Sequence, residues 1–299
     1  MSTRIQWLSR LRHQYPSSVL GIHPSFSPRI VCLVLNEEGL IEMAHLNTKV
    51  WLDEHKVELP EWQQDAFDQF TTMIADPGGS YPCIPGRLGF LSNNLRFGFA
   101  ADPRSDQATT EVAQLLQEYG KCSRDTGKYA SLVIFFESPK ELSNNHSIEN
   151  YEQIFWSVLT RVNAADTTPW PDHISTDPSH HSWEFCFDGH PYFVFCATPA
   201  HVLRRSRHTP YFVIAFQPRW VFEEINDSTV MGRNMKKLIR NKLVEYDNIP
   251  AHPSLKWYGQ EDNLEWKQYF LRDDESVPTK CPYTYMKNKA KSLKLMFHK

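Results

Sequence analysis

The chain has 299 residues, with Lys+Arg at 32 against Asp+Glu at 35 and a formal net charge of -3, so no global positive field draws it to nucleic acid. With 41% hydrophobic, 13% aromatic and 22% charged residues, the composition is that of a folded protein with a sizeable core, and it excludes wholesale disorder, collagen and coiled coil. No apolar run approaches the roughly 18 residues that a spanning helix needs, which excludes an integral membrane segment, and the six cysteines form no C-x-x-C pair, which suits free thiols in a reducing, cytoplasmic setting.

Residues 1–56 read as an N-terminal extension, with Arg4, Arg10, Arg12 and Arg29 and no acid before Glu37. The patterned domain runs over 57–275 without a Gly/Ser linker, which favours one core. Its first helix is expected over Glu61 to Ala75, with Trp62, Ala66, Phe70, Met73 and Ile74 on one stripe and Asp76-Pro77-Gly78-Gly79 as its stop. A second is expected over Asp106 to Tyr119, ended by Gly120. Tyr129 to Glu137 is almost continuously apolar, as a central strand covered on both faces must be.

Ser147 caps a long helix whose apolar side chains from Ile148 to Val162 recur at helical spacing. Asp188-Gly189 between two apolar runs predicts a hairpin. A helical turn over Pro199 to Arg207, a strand over Tyr211 to Phe216 and a helix over Val230 to Tyr246 follow. The fold class is therefore mixed α/β, one domain with a central mixed sheet flanked by helices. Residues 276–299 form a basic tail that carries Lys280, Lys287, Lys289, Lys291, Lys294 and Lys299.

Three clusters could carry chemistry. Thr198 and Pro199 suit a helix start, and a helix there puts His201, Arg204, Arg205 and His208 on one face, as an imidazole metal ligand beside arginine forks for carboxylates would require. A surface basic helix gives the same spacing. Cys83 in a Pro-bounded turn could supply a thiolate, with Arg96 or Arg104 for an anion, or be a small buried apolar group. Gln217-Pro218-Arg219-Trp220 ends an apolar strand, where polar side chains often line a site. A Cys83/His201 nucleophile pair stays open, while H-E-x-x-H, G-x-S-x-G, Walker A and G-x-G-x-x-G are absent.

As an ordered set, the words YPC…LRFGFAADPR, KYASLVIFFE, ENYEQIFWSVL, SWEFCFDGHPYFVFCATPAHVLRRSR, FVIAFQPRWVFEEI and LKWYGQEDNLEWKQYFLRDDE resemble the YqcI/YcgG family, from about Leu59 to about Asp274. Pro85, in the turn after Cys83, departs from that pattern. The resemblance implies a haem b protein that hydroxylates a guanidine or amine nitrogen of arginine or an arginine-derived molecule, with dioxygen as co-substrate. It also implies an external reductant or redox partner, since the chain carries no flavin, iron–sulfur or nicotinamide motif. On the matching words His201 is expected to ligate iron, with Cys83 as rival, and Arg204, Arg205, Arg96 and Arg104 to hold the cofactor. Glu184 and Arg219 are expected in the catalytic site, Glu184 pairing with a cationic guanidinium or forming a structural ion pair. A non-catalytic haem or small-ligand binder and a Cys/His hydrolase are the alternatives, and a homodimer is the default assembly.

Overall fold

The computed structural model describes residues 33–36, 39–42, 44–139, 141–142, 146–223 and 229–284. The chain divides into a unit over 1–43 and a unit over 44–299. Within the first, β1 (Leu33–Asn36) and β2 (Gly39–Glu42) pair antiparallel, with Leu33 opposite Glu42. Arg4, Arg10, Arg12, Arg29 and the tail lysines from Lys287 onward lie outside the described residues.

Strand polarity in the second unit follows from residues that alternate across two cores. β3 (Asn47–Thr48), β4 (Leu95–Ala100), β5 (Ser131–Phe136), β6 (Phe185–Phe187), β7 (His190–Ala197) and β8 (Val213–Pro218) form a mixed sheet in the order β3-β4-β5-β8-β7-β6. Only β4 and β5 run parallel; the other neighbours are antiparallel. Every residue of β5 is buried, because it lies inside the sheet and packs on both faces. Leu132, Ile134, Phe136, Tyr192, Val194, Ile214 and Phe216 belong to one core, and Phe97, Phe99, Val133, Phe135, Val213 and Ala215 to the other.

The first face is covered by α4 (Asp106–Cys122) and α5 (Ile148–Ala165), joined by the short α8 (Trp266–Tyr269). The Ser147/Asn150 capping box fixes the start of α5. Gly98 lets α4 approach β4: a Cβ there would lie 2.4 Å from the Leu115 side chain. The second face is covered by α1 (Lys49–His55), α2 (Glu61–Ile74) and α3 (Ile84–Leu91). Pro85 falls in the first turn of α3, where its missing N–H costs nothing. Asp188 and Gly189, both at positive φ, turn β6 into β7.

Two expectations change. α4 runs through Gly120 to Cys122; Gly120 stays in helical conformation without a positive φ, and a Cβ there would stand 3.0 Å from the His190 ring. Residues 199–207 form no α-helix. The Asp273 carboxylate accepts the N–H groups of Val202, Leu203 and Arg204 at 2.9, 3.1 and 2.9 Å, and only Arg205–Arg207 closes a 3-10 turn. Finally α6 (Arg219–Glu223) follows β8, and α7 (Val230–Asp247) carries no buried apolar side chain among its described residues.

Candidate functional site

Trp183, Phe185 and Phe187 belong to the first core, so Glu184, just before β6, turns away from it. There it is 2% exposed, and burial pushes its carboxyl up to about 7 against the opposing pull of the Tyr258 hydroxyl and Arg219. The Tyr258 hydroxyl donates to Oε1, and Arg219 Nη1 stands 3.3 Å from the same oxygen. Oε2 is buried without a hydrogen-bond partner. The structure thus brings together the two residues expected to be catalytic.

Aromatic planes enclose them. Tyr258 stacks on Phe222 at 5.0 Å, Phe222 meets Phe193 at 5.1 Å, and the Arg219 guanidinium lies 5.7 Å over the Tyr258 ring. A second buried carboxylate, Glu265, completes the group; it accepts N–H bonds from Gly259, Asn263 and Gln268, and burial raises it to about 7. Neither Tyr258 nor Glu265 is singled out by spacing. The signal available was an acid inside the apolar run Leu264-Glu265-Trp266, since a lone carboxylate on a buried face must be held by donors.

Cys83 packs against the second core. It caps α3, its Sγ accepts the Gly86 N–H at 3.4 Å, and a Cβ on residue 86 would stand 3.0 Å from that sulfur. Burial pushes the thiol up, while the Gly86 N–H and the Arg207 guanidinium oppose the shift. Arg207 is buried 4.1 Å over the Phe195 ring and donates to the carbonyls of Cys196, Tyr269 and Gln268. It therefore lies between Cys83 and the Gln268–Glu265 group. Phe195, against the second core, and Phe193 and Gln217, paired in register, are only half-buried, although β7 and β8 are interior strands.

The other expected residues do not converge. His201 is buried with both ring nitrogens engaged: Nε2 donates to the Leu271 carbonyl and Nδ1 meets the Thr198 hydroxyl, each at 2.8 Å. Burial lowers it to about 4, so it is neutral and makes no pair with Cys83. Arg204 donates to the carbonyls of Arg272 and Pro250. Arg96 bonds the Asn93 and Leu95 carbonyls in register with Leu132 of the first core, and Arg104 pairs with Asp102. Arg205 stacks over Tyr246 and, with His208, lines a separate cleft of about 350 Å³ between α2 and the 205–213 segment. No group of three or more His, Cys, Asp or Glu among the described residues could hold a bare metal ion. No helix among them is long and apolar enough to cross a membrane.

The YqcI/YcgG family model matches residues 70–284, which contain Cys83, Glu184, Arg219, Tyr258 and Glu265. The chain is 54% identical to the uncharacterized protein YcgG of Bacillus subtilis (strain 168), over 83% of this chain and 98% of that one. It is 52% identical to YqcI of the same organism, over 82% and 97%. A more distant relative, at 31% over 84% and 93%, is DcsA of Streptomyces lavendulae, named for the synthesis of N(omega)-hydroxy-L-arginine. No match to a solved structure was found. By the reach of the family model and the near-complete coverage of these relatives, the chain belongs to the YqcI/YcgG family.

Proposed function

We propose that the protein is a haem-dependent N-oxygenase that hydroxylates a guanidine nitrogen of arginine or a small arginine-derived molecule. The observation that carries this reading is Glu184, a buried carboxylate with one oxygen unpartnered and a guanidinium already resting between it and an aromatic ring. A site that accepts the guanidinium of Arg219 has the shape and charge for that of a substrate. The name of DcsA points to the same functional group.

The donor chemistry of Cys83 and its neighbours supports a haem. His201 has no free nitrogen, whereas Cys83 presents a sulfur with a single N–H bond at a helix start, under the influence of Arg207, which itself lies over Phe195. Cys83 would therefore ligate the iron, and Phe193 and Phe195 would form the apolar floor. When bound, haem supplies the reductive activation of dioxygen, which thiolate donation favours. The balance is one guanidine N–H, dioxygen, two electrons and two protons giving N–OH and water, with the electrons from an external donor. Glu184 holds the guanidinium, Tyr258 fixes the orientation of Glu184, and the aromatic planes keep water from the reacting nitrogen.

Absorption spectra of protein produced with haem available test the reading. A Soret band in proportion to protein is expected, with the ferrous CO complex in the red-shifted position of thiolate ligation and Cys83→Ser abolishing that position. A protein that takes up no haem in either form contradicts it.

A further inference from the structure

Arg219 is held on Glu184 poorly for a buried pair. Its Nη1 approaches Oε1 at 3.3 Å without hydrogen-bond alignment, and both Arg219 Nη1 and Glu184 Oε2 are buried with no hydrogen bond. A fork-on-fork guanidinium–carboxylate pair would satisfy both atoms. The same side chain has a second anion in reach: its Nε stands 3.5 Å from Oε1 of Glu223, one turn along α6 and exposed. Arg219 is also 27% exposed where Glu184 is 2%, so it stands between the buried carboxylate and solvent.

We propose that Arg219 is an internal, displaceable occupant of a guanidinium site, and that a cationic substrate enters by moving it from Glu184 onto Glu223. This rests on the reading of Glu184 as the substrate's anchor. The exchange conserves charge, since one guanidinium leaves the buried carboxylate as another arrives, and it satisfies Oε2. It also makes the site selective, because a neutral ligand cannot displace Arg219 without leaving the pair broken.

The test is calorimetric binding of methylguanidine and L-arginine to the haem-loaded protein at about pH 9, where Glu184 is ionised. If Arg219 fills the site in nine molecules of ten, Arg219→Gln tightens methylguanidine binding by about tenfold. Glu223→Gln, which removes the outer station, weakens it several-fold. Glu184→Gln loses it, alone or combined with Arg219→Gln. Arg219→Lys, which keeps the charge without the fork, binds with an affinity between wild type and Arg219→Gln. Weaker binding in Arg219→Gln overturns the proposal, and if Glu184→Gln still abolishes binding the anchor role survives. Tightening that persists without Glu184 also overturns it. Absence of Glu184-dependent binding in both wild type and Arg219→Gln removes the anchor and the displaced arginine together.

Discussion

Glu184 and His201 show how burial assigns opposite tasks to two titratable side chains. Glu184 keeps a free oxygen, and burial raises its carboxyl to about 7 even with Arg219 alongside, so its ionised form gains most from a second, better-aligned cationic partner. Affinity for arginine is expected to rise with pH through about 7, and Glu184→Gln to abolish that rise while lowering kcat/KM by on the order of 100-fold. Initial rates across pH check both. In the sign of folding linkage, Glu184 contributes stability that is present below its unfolded value and lost as pH rises through about 7. His201 behaves in the reverse sense: lowered to about 4, it contributes stability that is present above about 6.5 and lost as pH falls towards 4. His201→Ala is expected to cost about 2–4 kcal/mol at neutral pH, by unpairing Thr198 and the Leu271 carbonyl, and to leave any haem spectrum unchanged. Denaturant titration and absorption measured on the same sample separate these effects.

At the scale of elements, what was readable in the sequence is what neighbours in the chain decide. The Asp188-Gly189 turn, the Ser147 cap and the apolar run of β5 are local signals, and each matches the structure. The 199–207 segment is decided at a distance: Asp273 takes its N–H groups, and Arg204 and Arg207 reach carbonyls beyond residue 249. Helical spacing could not reveal partners so far along the chain, so the expected His201/Arg204/Arg205/His208 face does not form. Arg219 was legible because the end of a strand is also a local feature, whereas Glu184 was marked only by the family words. Tyr258 and Glu265, on a loop folded back over the sheet edge, were not legible. Gly98 marks another non-local constraint, the approach of α4 to β4. Gly98→Ala should overpack Leu115 and cost about 1–3 kcal/mol, read as a lower denaturation midpoint with an unchanged slope.

For the whole molecule, the sheet separates two jobs. The first face is a closed aromatic and aliphatic core, whereas beyond it β7 keeps half-buried phenylalanines, the second core carries a capped thiol, and Glu184 holds a carboxylate–guanidinium pair with Arg219. α7, on that part of the chain, is tied by polar and ring contacts instead of buried apolar ones: Lys242 to the Gly79 carbonyl, Tyr246 to Tyr81, and Lys236 over Trp257. Binding of haem is therefore expected to protect the amides of α7 from hydrogen exchange more than those of α4, a contrast that exchange mass spectrometry resolves. Oxidation of a guanidine at the Glu184 site is the step that separates an N-oxygenase from a haem binder. It is tested most directly by giving the haem-loaded protein L-arginine, an electron donor and isotopically labelled dioxygen, and weighing the products. The expected product is one labelled oxygen atom heavier, bonded at a guanidine nitrogen and lost in both Glu184→Gln and Cys83→Ser. A haem-loaded protein that is reduced and binds CO, yet leaves arginine and every other guanidine offered unoxidised, would contradict it.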